Sequence, residues 1–190
     1  MANNNILICL ERLDIGGVET AVINKAEAFK NKGCNVYVMA KPGVYNDVLE
    51  SKGIKCFDFE FTLTDNPDFD RINDICEIIK KYNIDQVHIH QFACLPYAGF
   101  ASINSRIPYN LYIHGSSIIE VYEWYMNCFE IQKLYMKYFF ENAYKLIAIT
   151  HKAASDTQEY FELSKDCFIV EKNSINFNDY VSKSDVTRNK

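Results

Sequence analysis

Three short segments place glycine, histidine or hydroxyl side chains directly after an apolar run. The first, LDIGGVET (residues 13–20), contains the adjacent glycines Gly16 and Gly17. Two glycines let the backbone approach a ligand closely, and free amides at the start of a following helix favour a phosphate oxygen. A tight turn is the alternative explanation of the pair. The segment therefore predicts either a phosphate contact or a turn.

This glycine pair differs from the fingerprint of nicotinamide-dependent dehydrogenases. The spacing is not GxGxxG, and the next apolar run ends in MAKP (residues 39–42), without the acid that would bind a ribose hydroxyl. The sequence therefore disfavours a dehydrogenase.

The second segment is VHIHQF (residues 87–92). Alternate side chains of a strand share one face, so His88 and His90 point the same way. Two such histidines could bind a metal, but no third ligand completes a local set. We expect His90 to line a cleft at the strand end and His88 to be a hydrogen-bonded interior histidine.

The third segment is YIHGSS (residues 112–117). His114 can donate or accept a proton near neutral pH, and glycine and two serines follow it. Ser116 or Ser117 could equally cap a helix, and a segment can both start a helix and contact a ligand.

Asp68 and Asp70 have the spacing of a metal-binding carboxylate pair, but they precede a helical pattern in which Asp is a common cap.

Short β-branched and aromatic runs alternate with longer amphipathic stretches. The predicted strands are 6–10, 36–40, 55–59, 86–89, 109–113, 146–149 and 168–170, and the predicted helices are 18–32, 44–52, 70–82, 93–105, 118–142 and 151–161. This alternation predicts an α/β fold with a doubly wound, mostly parallel, Rossmann-like sheet. Ligands of such sheets bind at the carboxyl ends of the strands, where the three segments lie.

Composition narrows the class of protein. The 190 residues carry 48% hydrophobic side chains, enough for one domain core, and a net charge of -5, which disfavours a nucleic-acid partner. Seven cysteines stand singly without a CxxC pair, as is typical of reduced, buried thiols rather than of disulfides or a zinc site. The amino-terminal sequence resembles neither a signal peptide nor a membrane span, so we expect a cytoplasmic protein.

The domain organisation follows from where the polarity changes. Residues 1–172 are predicted to form one domain, and the polar residues 173–190 a linker toward a second domain. The aromatic-rich stretch 118–142 is expected to pack on the core and the acceptor cleft, with a membrane-surface contact as the alternative.

The ordered set of GGVET, VHIH, YIHG and LIAIT (residues 146–150) resembles the amino-terminal domain of family 4 glycosyltransferases, which have the two-domain GT-B fold. The resemblance covers essentially the whole chain. Residues 169–176 (IVEKNSIN) are similar to the PNG[VI]D crossover between the two domains. They depart from it at Lys172, Ser174 and Asn176, which replace the proline, the glycine and the acid.

The resemblance implies retaining glycosyl transfer from a nucleotide-sugar to a hydroxyl of a glycan or lipid-linked acceptor, without a required metal or cofactor. Gly16 and Gly17 would bind the donor diphosphate, and His114 would be the catalytic residue beside the transferred sugar. The acceptor side would comprise Glu19, His90, Gln91, Gly115 and Ser116. The carboxy-terminal domain would supply most nucleotide contacts, so this chain alone would be inactive, and contact with the inner membrane surface is part of the same expectation.

One family motif is not transferred. An ExxxxxxxE pair belongs to the second domain of these enzymes, and its spacing occurs here as Glu11/Glu19 and Glu19/Glu27, where we expect a solvated helix face. Two other functions stay open: a non-catalytic nucleotide-binding or small-ligand-binding α/β module, and a helix-rich interaction domain that uses the aromatic stretch.

Overall fold

The computed structural model describes residues 4–64, 66–115 and 130–172, without the side chains of 130–132. The strands are β1 (Asn5–Arg12), β2 (Asn35–Lys41), β3 (Lys55–Asp58), β4 (Gln86–Ile89), β5 (Tyr109–Ile113), β6 (Lys145–Ala148) and β7 (Phe168–Val170). The helices are α1 (Gly17–Asn31), α2 (Asn46–Ser51), α3 (Phe69–Lys81), α4 (Phe100–Ser105), α5 (Glu130–Asn142) and α6 (His151–Tyr160).

The seven strands form one parallel sheet in the order β3-β2-β1-β4-β5-β6-β7. The chain first moves outward from β1 to β3 and then crosses to β4 and continues to β7, which is the doubly wound arrangement. The predicted α/β, Rossmann-like fold is confirmed. All seven predicted strands are present, and β4, β5 and β7 have the predicted bounds.

Alternating side chains of the strands build two apolar layers. Ile6 and Ile8 pack with α1 and α2 on one face, whereas Leu7 and Cys9 pack with α3 to α6 on the other. On the α1 side, β4 and β5 instead carry the polar and aromatic residues His88, Asn110 and Tyr112, and the His88 ring contacts Phe29 of α1. These three residues form a polar strip that leads toward the carboxyl edge of the sheet.

Capping residues mark the ends of three helices. The Asp68 carboxylate accepts a hydrogen bond from the Asp70 amide at 2.9 Å, so Asp68 acts as the cap of α3. Gly33 and Gly53 follow the first two helices with positive φ angles of 85° and 66°.

The predicted continuous helix 93–105 is wrong. The chain forms a 3₁₀ turn (Phe92–Cys94), a π turn (Leu95–Gly99) and only then α4. Pro96 contributes no amide to a helical ladder. Gly99 lies where Phe139 packs, since a Cβ on Gly99 would be 2.8 Å from Phe139 Cδ1. Packing therefore shapes this segment more than helix propensity does.

Three further sequence expectations concern the helix 118–142, the cysteines and membrane-spanning segments. Of the predicted helix 118–142, only Glu130–Asn142 lies within the described residues. The six described cysteines are free, but only Cys9 and Cys94 are buried and the other four are partly exposed, which corrects the expectation of uniformly buried thiols. Within the described ranges, no helix combines the length and apolar character needed to cross a bilayer.

Candidate functional site

The β1–α1 loop presents backbone amides at the carboxyl edge of the sheet. The first hydrogen bond of α1 runs from the Thr20 amide to the Gly16 carbonyl at 3.0 Å, so the amides of the preceding residues lie outside the helical ladder. A Cβ on Gly17 would meet no heavy atom within 4 Å. The helix start therefore offers amides of the kind that bind anions, and a side chain at position 17 would extend into open space.

Glu19 lies against this glycine pair and is only 8% exposed. The extended backbone of Gly16 does not require glycine, but a Cβ there would overlap the Glu19 carboxylate, so a larger residue would require the Glu19 side chain to move. The expected solvated face is wrong for Glu19, because Glu19, Val22 and Ile23 share the buried face of α1. Its carboxylate complements the positive end of the helix and would compete with a phosphate there.

A second carboxylate, Glu11 at the end of β1, lies close to Glu19. Burial and then the charge of Glu19 raise the pKa of Glu11, while a hydrogen bond from the Ala93 amide lowers it. The Glu11 amide donates to Gln91 Oε1 at 2.6 Å, so Gln91 ties the end of β1 to the residues after β4. Glu11 and Glu19 are therefore close enough for the charge of Glu19 to affect the Glu11 carboxyl.

Gly43 supports the β1–α1 loop from the neighbouring β2–α2 connection. The Leu13 amide donates to the Lys41 carbonyl at 3.0 Å, and the Tyr45 amide donates to the Leu13 carbonyl at 2.9 Å. A Cβ on Gly43 would overlap the Leu13 carbonyl. The sequence analysis missed this glycine, since its role depends on two loops that meet only in the folded sheet.

His90 and His114 follow the neighbouring strands β4 and β5 and are in direct contact. His90 Nδ1 and His114 Nε2 are 2.9 Å apart, which is a hydrogen bond whose donor depends on the tautomers. The His90 ring also stacks on Tyr112, with centroids 4.2 Å apart and planes 4° from parallel. His90 is 2% exposed, and His114 is partly exposed.

His88 has the role predicted for it. It is 3% exposed, its Nδ1 pairs with the Tyr112 hydroxyl at 3.0 Å, and its Nε2 pairs with Asn110 Nδ2 at 3.3 Å. Both ring nitrogens are therefore satisfied within the core. The prediction of a hydrogen-bonded interior histidine is confirmed.

Burial controls the charge of these histidines. Desolvation and then the nearby Lys25 lower the pKa of His114 to about 4. Desolvation, followed by the charges of His114, His88 and Lys25, holds the pKa of His90 well below its ordinary value. Both rings are consequently neutral near pH 7 and can each offer one donor and one acceptor.

A groove of about 310 Å³ runs between α1 and the polar strip of the sheet. His90, His114 and Tyr112 line it, together with Lys25 and Glu171. Lys25 Nζ lies 4.0 Å from the Tyr112 ring centroid and 3.4 Å from the Glu171 carboxylate. The groove is therefore polar and aromatic, and carries both signs of charge.

Not all of the predicted site residues line this groove. Gly16, Gly17, Glu19, Gln91 and Gly115 do not, although the glycine pair and Glu19 lie at the helix start on the carboxyl edge of the sheet. Ser116 lies outside the described residues. The structure thus brings His90 and His114 together in the groove.

No group of three or more His, Cys, Asp or Glu side chains able to hold a metal ion occurs in the described part of the chain. The carboxylate of Asp68, the first member of the acidic pair considered from the sequence, caps α3.

The fold and the site define a Rossmann-like α/β domain with a polar cleft at the carboxyl edge of its sheet. The model of Glycosyltransferase Family 4 matches residues 15–176, and the chain belongs to this family. No curated protein sequence matches the chain significantly.

Solved structures share the fold at low sequence identity. A glycosyltransferase from Rickettsia africae is 18% identical with a TM-score of 0.68, and the match covers 98% of this chain and 50% of that one. HepE from Anabaena in complex with UDP-glucose is 17% identical with a TM-score of 0.73, over 97% and 48% of the two chains. Sucrose-phosphate synthase from Thermosynechococcus elongatus is 13% identical with a TM-score of 0.63, over 93% and 49%. The chain spans about half the length of these proteins.

Proposed function

We propose that this chain is the amino-terminal, acceptor-side domain of a glycosyltransferase that moves a sugar from a nucleotide-sugar to an acceptor hydroxyl in glycan or polysaccharide synthesis. The family match over residues 15–176 carries the proposal. The open helix start at Gly17 and the neutral His90–His114 pair on the same sheet edge support it. HepE, which shares the fold, has been crystallised with UDP-glucose.

The chemistry of glycosyl transfer suits this arrangement. Positive charge develops on the sugar ring and negative charge on the leaving diphosphate, so amides directed at the phosphate lower the barrier. In the proposal, the amides near Gly16 and Gly17 contact the diphosphate and His114 lies beside the transferred sugar. In the same proposal, the acceptor side comprises Glu19, His90, Gln91, Gly115 and Ser116.

Glu19 sets a condition on the phosphate contact. Its carboxylate lies beside Gly16, where it competes with an anion for the helix start. Binding of a diphosphate there therefore requires that the Glu19 carboxylate turn away from the helix start. A Glu19→Gln variant of the full-length enzyme should consequently bind nucleotide-sugar more tightly than the natural protein.

The finer parts of the proposal come from the family resemblance. They are a retaining, hexosyltransferase-type reaction without a metal, a glycan or lipid-linked acceptor, and a carboxy-terminal domain that provides most donor contacts. Closure of the two domains would exclude water that otherwise hydrolyses the donor. The aromatic stretch 118–142 is the segment we propose for contact with the cytoplasmic face of the inner membrane or with the acceptor.

The test is a donor panel. The full-length protein is incubated with UDP- and GDP-sugars and simple glycoside acceptors, with and without EDTA, and products are analysed by nuclear magnetic resonance. We expect release of nucleoside diphosphate from at least one donor, insensitivity to EDTA, and a product with the anomeric configuration of the donor. A product with inverted anomeric configuration, or loss of activity in EDTA, would overturn the finer parts. Donor hydrolysis without transfer of the sugar to any acceptor, or no reaction with any donor, would overturn the function.

A further inference from the structure

The contact between His90 and His114 joins the ends of two neighbouring strands. His90 is held by its own backbone, since its amide donates to the Cys9 carbonyl of β1 at 3.0 Å. Its ring is held by the parallel stack on Tyr112. Tyr112 is in turn fixed by the His88 ring and by Lys25 above its face. His90 therefore has a rigid setting, whereas His114 stands at the partly exposed rim.

The charged groups around the pair keep it neutral. Lys25 approaches from α1, Glu171 from the segment after β7 pairs with Lys25, and His88 lies below on β4. A proton added to either ring would be buried beside the Lys25 ammonium and another imidazole. At neutral pH each ring therefore carries one N–H, and one of the two protons lies between them.

The shared proton gives the two free nitrogens opposite characters. If His90 donates, His114 must carry its proton on Nδ1 and His90 Nε2 is an acceptor; if His114 donates, the two assignments are reversed. Among the described residues, neither His90 Nε2 nor His114 Nδ1 has a hydrogen-bond partner, although both atoms are buried. Buried nitrogens without partners are uncommon in native proteins.

We propose that His90 is a positioning residue for His114: the bond between His90 Nδ1 and His114 Nε2 holds the His114 ring in one orientation, and the tautomer that His90 adopts in its rigid setting decides which His114 nitrogen carries the proton. The proposal rests on the proposed function, in which His114 lies beside the transferred sugar. In this role His90 affects the chemical step, and hence kcat, through His114. Which ring nitrogen of a histidine carries the proton is commonly set by the hydrogen bond that the other nitrogen makes.

Two polar replacements separate positioning from packing. The amide of Asn lies at the level of the histidine Nδ1, and the amide of Gln at the level of Nε2. His90→Asn in the full-length enzyme should therefore keep the bond to His114 and His90→Gln should lose it, so kcat should be about tenfold lower in His90→Gln than in His90→Asn, with little difference in the donor KM. His151→Gln, at an exposed histidine that does not line the groove, is the control and should retain kcat.

A double-mutant cycle gives the decisive readout. If His90 acts through His114, then His90→Gln should cause no further loss of kcat in a His114→Ala background. Additive losses in the cycle, or equal kcat for His90→Asn and His90→Gln, would overturn the proposal while the glycosyltransferase function stands.

A measurement that needs no activity tests the same contact. Nitrogen-15 chemical shifts of the imidazoles should show one dominant His114 tautomer in the natural protein and in His90→Asn, and a mixture in His90→Gln. A mixed His114 tautomer in the natural protein would overturn the positioning role even if no donor substrate had been found.

Discussion

The buried histidines should make the protein sensitive to mild acid, and His88 allows the size of the effect to be worked out. Desolvation, and then the charge of Lys25, lower the pKa of His88 from 6.5 to about 3. Between these values the unfolded chain binds a proton that the folded chain does not, so stability falls as pH falls. At pH 5, which is about 1.5 units below the unfolded pKa, His88 alone should cost about 2 kcal/mol relative to high pH.

The assay is urea unfolding of the natural chain and of His88→Gln, followed by circular dichroism at pH 7.5 and pH 5. The variant is less stable at pH 7.5, because it loses the bond to the Tyr112 hydroxyl. Its further loss on going to pH 5 should be smaller than that of the natural chain by about 2 kcal/mol. Glu11, whose raised pKa acts in the opposite direction, contributes equally to both proteins. His151→Asn, at an exposed histidine, is the control. Equal pH dependence in His88→Gln and the natural chain would refute the reasoning.

Three further predictions concern the glycines, the histidine proposed to be catalytic and the donor. Gly43→Ala should destabilise the chain by about 1–3 kcal/mol, because its Cβ would overlap the Leu13 carbonyl, whereas Gly17→Ala, which points into open space, should leave the thermal midpoint nearly unchanged. His114→Ala in the full-length enzyme should lower kcat more than donor affinity, since an interaction made mainly in the transition state contributes to rate; normal turnover would contradict this. Isothermal titration of this chain alone with UDP- and GDP-sugars should give dissociation constants of about 1 mM or weaker, and micromolar binding would mean that the main donor site lies here.

Most of the fold was predictable because its signals are local. Strands β4, β5 and β7 are short β-branched or aromatic runs between polar residues, and their bounds follow from that pattern. The segment from Ala93 to Ser105 was mispredicted because its apolar residues fit a helix by composition, while Pro96 and the contact of Gly99 with Phe139 determine its actual path.

The candidate site was predictable only in part. Parallel strands place His90 and His114 at one edge, but their contact depends on rotamers that no sequence pattern specifies. The burial of Glu19 could have been found, since the spacing of Glu19, Val22 and Ala26 puts all three on one face of α1. The overlap of Gly43 with the Leu13 carbonyl could not, because it arises between loops that are far apart in sequence.

The most direct test of the central claim is the catalytic efficiency of Gly17→Val in the full-length protein. If the β1–α1 loop contacts the donor diphosphate, the added side chain occupies the open space at the helix start. We predict a loss of at least about tenfold in kcat/KM for the nucleotide-sugar, with a thermal midpoint close to that of the natural protein. An unchanged kcat/KM in a folded Gly17→Val enzyme would contradict the account.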